Sequence, residues 1–113
     1  MNIIQTKFFN NQFEKLRKKY PRILNDFDIF KNNINLEPFS DLWNWVFKYR
    51  MKNSSIPTWK RWGFRIIILF LDKNNIVPLF IYSKTEIENI LSNDIIKAKE
   101  IILKELVTKK YKF

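Results

Sequence analysis

The first 34 residues carry two apolar stripes whose members recur every three or four positions, as on one face of an α-helix. The first stripe consists of Phe9, Phe13, Leu16 and Tyr20, and the second of Ile23, Phe27, Phe30 and Ile34. Pro21 separates them; it ends the first helix and can occupy the first turn of the second. The pattern therefore predicts an antiparallel helix hairpin, and a β-branched stretch at residues 2–6 predicts a short strand before it.

The pattern changes to alternation at residue 45, which predicts strands. In residues 45–52 one set of alternate positions is apolar (Trp45, Phe47, Tyr49 and Met51) and the other is mostly basic (Val46, Lys48, Arg50 and Lys52). We expect the apolar set to be buried and the basic side chains to face solvent. Residues 64–71 are apolar on both faces except for Arg65, as in a central strand. Residues 72–75 supply a hairpin turn, and residues 76–82 form a third strand in which Pro78 indicates an edge or a bulge.

Residues 85–88 fit a capping box, so we expect a helix to begin there. Its apolar pattern continues to Leu106, and Ser92 and Asn93 mark a place where it could break. The predicted order is β-α-α-β-β-β-α within a single domain, residues 1–113. This is an α+β fold: a small antiparallel sheet with the two-helix hairpin on its apolar face and the C-terminal helix at one end.

The composition excludes several classes of protein. The chain has no Cys and no His, which excludes disulfide frameworks, thiol nucleophiles, Cys/His zinc sites and Ser–His catalytic pairs. A single glycine, Gly63, excludes the glycine-rich phosphate loops. We expect no metal and no cofactor. The longest apolar run is far shorter than the roughly 20 residues that span a bilayer, and the N-terminus lacks the apolar core of a signal peptide, so we expect a cytoplasmic protein without a membrane partner.

The net charge of +10 is concentrated in one stretch. Residues 42–71 contain six basic residues, no acidic residue and all four Trp. Cations bind phosphates and ring faces stack on unpaired bases, so this composition favours single-stranded RNA as a ligand. The candidate RNA-binding residues are Lys48, Lys60, Arg61, Trp59 and Trp62. Alternatively, the basic side chains only make an open sheet face hydrophilic, and the two Trp side chains anchor their loop.

Three stretches of the chain resemble the RelE superfamily of toxins from type II toxin–antitoxin systems, in particular its HigB-like branch. They are KYRMK at residues 48–52, the loop NSSIPTWKRW with GFRII at residues 53–67, and IYSKTEIENI at residues 81–90. The likeness covers residues 3–106. It implies a small endoribonuclease (an mRNA interferase) that cuts mRNA, in many members on the ribosome, and so inhibits translation. It also implies a cognate antitoxin that silences the toxin. Trp59 and Trp62 stand where the family usually has small glycines.

Metal-free RNA cleavage uses the substrate's own 2′-hydroxyl as the nucleophile, so the protein must hold the phosphate, stabilise negative charge and move two protons. Arg65 is the candidate phosphate clamp; alternatively, it forms an ion pair with Glu86 or Glu88. Arg50 and Lys52 are expected to share a strand face about 7 Å apart and to bind phosphate, or else to be ordinary surface cations.

Without His, the general base is expected to be Tyr82 or Lys84, whose pKa neighbouring cations would lower. Tyr82 could instead be a core residue. Two other functions remain open at this point: a non-catalytic module that binds nucleic acid or the ribosome, and a toxin of the same fold that targets DNA gyrase. The antitoxin is expected to contact the groove near Arg50, Arg65 and Lys84 or to displace the C-terminal helix.

Overall fold

The computed structural model describes residues 2–56, 63–86 and 90–110. Within these ranges the elements are β1 (Asn2–Ile3), α1 (Lys7–Lys19), α2 (Ile23–Asn32), a 3-10 turn (Ile34–Leu36), β2 (Phe39–Trp43), β3 (Val46–Met51), β4 (Phe64–Phe70), β5 (Asn75–Ser83) and α3 (Ser92–Lys110). The α+β fold class is therefore confirmed. In the described part of the chain, no helix combines the length and the apolar character that crossing a bilayer requires.

The five strands of the described ranges form one sheet in the order β1-β5-β4-β3-β2. Strands β2 to β5 make an antiparallel meander, but β1 pairs with β5 in parallel through Asn2 and Ile3. The prediction of a wholly antiparallel sheet is thus wrong, since the sheet is mixed. The predicted order of elements also lacked β2, which forms the edge of the sheet beside β3.

The two N-terminal helices are confirmed, with α1 and α2 separated by Pro21. The predicted first strand is shorter than expected, because Thr6 serves as the N-cap of α1 and its Oγ1 accepts a hydrogen bond of 3.2 Å from the amide of Phe9. Such a cap satisfies one of the backbone donors that a helix start leaves unpaired. The phenylalanine stripes of both helices, including Phe9 and Phe27, pack on one face of the sheet against Tyr49 and its neighbours.

The opposite face of the sheet packs against α3 rather than leaving that helix at one end. Ile95 and Ile102 of α3 are buried against Ile67, Leu69 and the apolar residues of β5. The helix also begins later than the capping box predicted: residues 84–86 form a turn, residues 87–89 lie outside the described ranges, and α3 begins at residue 92. The sheet is therefore covered on both faces.

The first residue of the predicted 45–52 strand is instead part of a turn. Strands β2 and β3 are joined by Asn44 and Trp45, which have φ values of 43° and 67°. Two consecutive residues with positive φ are typical of a two-residue hairpin whose twist matches that of its strands. Trp45 is consequently 66% exposed, and the prediction that it is buried is wrong. The alternation is correct from β3 onward: Tyr49 and Met51 are buried and Arg50 is exposed, although Phe47 is only half-buried.

The β4–β5 hairpin has the predicted turn and the predicted bulge. Asp72 Oδ1 accepts hydrogen bonds from the amides of Asn74 (2.7 Å) and Asn75 (2.9 Å), the side-chain-to-backbone pattern that favours Asp in turns. Ile67 pairs with Phe80 and Ile68 with Pro78, so Leu79 is an extra residue in β5. Beyond the bulge, this shift brings Tyr82 directly opposite Arg65.

Candidate anion-binding site

Three adjacent strands bring the predicted basic residues to one face of the sheet. Arg50 on β3 is directly opposite Arg65 on β4, and Arg65 is directly opposite Tyr82 on β5. Because strand side chains alternate, Lys48, two residues before Arg50, belongs to the same face. Lys84 follows the last residue of β5, and it lines the same cavity as Lys48, Arg50 and Arg65. The strand register thus gathers residues that are up to 36 positions apart in the sequence.

These cations line a cavity of about 410 Å³. Its walls include Lys48, Arg50, Arg65 and Lys84, together with Pro38, Phe39 and Ser40 at and before the start of β2. Of the described residues that line it, none is acidic. A concave site with four converging cations is suited to bind an anion with several oxygen atoms, such as a phosphodiester.

The electrostatics of the cavity follow from burial and from the proximity of like charges. Burial lowers the pKa of the Lys48 ammonium, and the positive charges of Lys84, Arg65 and Arg50 lower it further. Arg65 is only 6% exposed, and burial together with Arg50 lowers its pKa as well. Both groups are therefore less stable as cations than they would be in water, and an anion in the cavity would offset this cost.

The glycine before β4 permits the close approach of the strand ends that form the cavity. A Cβ at Gly63 would lie 2.4 Å from the carbonyl oxygen of Met51 and 3.1 Å from the amide nitrogen of Asn53. The Gly63 carbonyl also accepts a 2.9 Å hydrogen bond from the amide of Lys84. A glycine is thus required here for steric reasons, and it links the ends of β3, β4 and β5 behind the four cations.

Tyr82 belongs to the core rather than to the lining of the cavity. Its side chain is 3% exposed and packs with the apolar residues beneath α3. The described residues offer its buried hydroxyl no hydrogen-bond partner. Burial raises the pKa of Tyr82, and the opposing effect of Arg65 is smaller. The expectation that cations would lower this pKa is therefore wrong, because it neglected desolvation.

Lys52 is separated from the other cations. Strand β3 ends at Met51, so the alternation that was expected to place Lys52 beside Arg50 stops one residue too early. Lys52 instead lines a smaller depression of about 100 Å³ with the acidic residues Asp26 and Glu37. Arg50 and Lys52 therefore line different cavities, contrary to the expectation that they share one strand face.

One of the two acids considered as a partner for Arg65 is bound elsewhere. Glu86 forms an ion pair with Lys19 of α1 and accepts a 3.1 Å hydrogen bond from the hydroxyl of Tyr20. The hydrogen bond from Lys19 is the main cause of the lowered pKa of Glu86. The other acid, Glu88, lies outside the described residues, as do Trp59, Lys60, Arg61 and Trp62.

The sequence analysis missed the contribution of β2 to the site. Ser40 pairs with Lys48 across the β2–β3 ladder and lines the cavity with Phe39. The alternation of β2 is hard to recognise, because Phe39 and Asp41 fall on one face and Ser40 and Leu42 on the other. Asn44 before the regular β3 pattern was the available signal, since Asn tolerates positive φ better than most residues.

Neither a scan against models of protein families nor a search of the curated proteins finds a match for this chain. The described residues contain no group of three or more acidic side chains arranged to hold a metal ion. The cavity and the sequence motifs that form it are therefore the features that indicate a function.

Proposed function

We propose that this protein is a metal-independent endoribonuclease that cleaves mRNA and acts as the toxin of a type II toxin–antitoxin system. The observation that carries the proposal is the convergence of Lys48, Arg50, Arg65 and Lys84 on one cavity with no acid among its described lining residues. The resemblance of residues 48–67 and 81–90 to RelE-type toxins supports the same assignment.

The two arginines are suited to hold the scissile phosphate. A guanidinium can donate two parallel hydrogen bonds to phosphate oxygens, a geometry that a lysine ammonium does not offer. Arg50 and Arg65 are directly opposite each other on neighbouring strands, so their Cβ atoms are about 5 Å apart. This spacing allows both to bind the non-bridging oxygens of one phosphodiester and to stabilise the charge that develops there.

Lys48 is the best candidate for the general base, with Lys84 as the general acid. The lowered pKa of Lys48 increases the fraction of neutral amine at neutral pH. Neutral Lys48 takes the proton of the 2′-hydroxyl as the 2′-oxygen bonds to phosphorus. The bond from phosphorus to the 5′-oxygen breaks, and the Lys84 ammonium protonates that oxygen. The products are a 2′,3′-cyclic phosphate and a 5′-hydroxyl. Tyr82 is less suited to be the base, because its hydroxyl is buried and its pKa is raised.

Cleavage of a single-stranded RNA oligomer in EDTA tests this function. Lys48→Met should lower the single-turnover rate by about 100-fold or more, the usual contribution of a general base. Lys52→Met is the matched control and should leave the rate unchanged. A single 2′-deoxy nucleotide at the cut site should abolish cleavage and leave binding intact. Cleavage of that substrate, or a parental rate in Lys48→Met, would refute the mechanism.

A toxin also requires a partner that silences it. The antitoxin should present an acidic segment that enters the cation-lined cavity and folds on binding. Expression of the protein alone should arrest growth, expression of Arg50→Glu should not, and co-expression with an adjacent reading frame should relieve the arrest and co-purify a complex. Growth arrest that persists in Arg50→Glu would count against the cavity as the toxic site.

A non-catalytic module that binds single-stranded nucleic acid is the second candidate. The burial of the Tyr82 hydroxyl favours it, since that burial removes one of the two residues expected to act as a base. This candidate predicts binding that depends on Arg50 and Lys48 but no cyclic-phosphate product under any condition. The cleavage assay therefore separates the two functions.

A further inference from the structure

A row of aromatic side chains lies on the sheet face opposite the cations and reaches the edge strand β2, which also borders the cavity. Phe39 on the edge strand β2 is 58% exposed, and Phe47 and Phe70 on β3 and β4 are partly buried. The Phe39 and Phe47 rings meet edge to face with 5.6 Å between centroids, and the Phe47 and Phe70 rings do so at 5.1 Å. The row thus extends across three strands and ends at the open edge of the sheet.

The Phe39 ring is held in place from within the protein and open on its outer side. Its centroid is 5.4 Å from that of Tyr49, a buried residue directly opposite on β3, and the two rings are inclined by 34°. Tyr49 packs in turn against Phe30 of α2. A ring that is fixed by its neighbours and more than half exposed is preorganised to stack on a planar ligand.

Phe39 also belongs to the cavity itself. It lines the cavity with Ser40, and Ser40 is directly opposite Lys48. Within the described ranges β2 is the last strand of the sheet, so no described strand separates the cavity from the aromatic row along this edge. A ligand with its anionic group among the cations can therefore cross the edge of β2 and reach the outer side of Phe39.

We propose that Phe39 is a stacking platform for an unpaired nucleobase of RNA whose neighbouring phosphate occupies the cavity. The inference rests on the proposed function and deepens it, because it specifies the substrate as single-stranded at this position. Bases within a duplex have both faces covered, whereas unstacked bases bind to aromatic side chains. Stacking on a ring tolerates every base, so the subsite should confer strand selectivity rather than sequence selectivity.

Equilibrium binding of three ligands tests the subsite: a fluorescent single-stranded RNA, the same RNA with abasic nucleotides throughout, and inorganic polyphosphate. Phe39→Ala should weaken binding of the ordinary RNA by about tenfold, the effect of losing one stacked base. It should leave binding of the abasic RNA and of polyphosphate unchanged. Phe39→Trp should retain the parental affinity, and Phe39→Leu, which keeps an apolar contact at the edge strand, should behave as Phe39→Ala.

Trp45→Ala is the matched control, because it removes another exposed aromatic side chain, in the β2–β3 turn at the other end of this strand pair, and should not affect RNA binding. If Phe39→Ala lost the same factor of affinity for all three ligands, the inference would be overturned, since the residue would then act on the cavity and not on a base. Parental RNA affinity in both Phe39→Ala and Phe39→Leu would also overturn it. If RNA binding requires Arg50 but not Phe39, only this inference fails; if the parent binds neither RNA nor polyphosphate, the proposed function fails.

Discussion

The salt dependence of RNA binding should reveal which cations contact phosphate. Four cations line the cavity, and each phosphate contact on a single strand contributes about −0.7 to the slope of log affinity against log salt concentration. We therefore expect a slope of roughly −2.8 for the parent protein if all four contact phosphate. Between 50 and 200 mM salt the affinity should fall by about 50-fold.

Arg50→Met and Lys52→Met form a matched pair for this measurement. Both residues are exposed and lie two positions apart, but Arg50 lines the cavity, whereas Lys52 lines a separate depression with Asp26 and Glu37. Arg50→Met should reduce the slope to roughly −2.1, so that the same change in salt lowers its affinity by about 20-fold. Lys52→Met should keep the parental slope. The two variants carry the same net charge, so a difference between them cannot come from the overall field of the protein.

The assay is fluorescence anisotropy of a labelled single-stranded RNA oligomer, titrated at several KCl concentrations from 50 to about 300 mM, the range over which counterion release dominates binding. Equal slopes for the two variants would show that charge acts through the general field and not through the cavity. A parental slope near zero would mean that the cavity does not bind phosphate, and it would refute the argument from its cation lining.

Three further predictions concern stability and are measured by denaturant or thermal unfolding. Gly63→Ala should destabilise the protein by about 2 kcal/mol, because its Cβ would lie 2.4 Å from the Met51 carbonyl and must displace backbone; unchanged stability would refute this close approach. Trp45→Gly should stabilise it by about 1 kcal/mol by removing a bulky side chain from a left-handed turn position, and a loss of stability would show that the indole makes compensating contacts. The pKa of Glu86 is lowered, mainly by the hydrogen bond from Lys19, from its ordinary value of 4.5, so its contribution to stability is present above that pH and is lost as the pH falls through the folded-state pKa. The difference in melting temperature between the parent and Glu86→Gln should therefore be present at pH 7 and vanish in acid; a constant difference would contradict this linkage.

The elements with strong local periodicity could be predicted from the sequence. The phenylalanine stripes of α1 and α2 repeat at helical spacing, and the β-branched run of β4 is apolar on both faces because helices cover the sheet on both sides. The parallel pairing of β1 with β5 could not be predicted in this way, since it joins Asn2 to Asn75 and leaves no local signal. The turn at Trp45 was missed because a left-handed conformation is rare for a bulky residue.

The candidate site was predictable only where the strands are regular. Alternation correctly predicts that Arg50 and Lys52 are exposed, but it does not predict that Lys52 lines a different cavity, because β3 ends one residue earlier. The face that Tyr82 occupies depends on the bulge at Leu79, which Pro78 indicated without fixing its position. The depth at which Tyr82 is buried depends on α3, which covers the sheet face that was expected to remain open.

The sheet face that packs against α3 has an apolar half and a basic half, and this division explains how four cations can be held together. One half, around Ile67 and Leu69, is covered by α3 and contributes apolar burial to folding. The other half lines the cavity with Arg50, which is exposed, and with Arg65, which is buried and whose pKa is lowered by burial and by Arg50. The same strands supply both halves, so the apolar half fixes the positions of the cations and the cations need not stabilise one another. Burial and neighbouring cations lower the pKa values of Lys48 and Arg65, and an anion in the cavity would offset this cost, which supports the proposed phosphate site over a solvated surface.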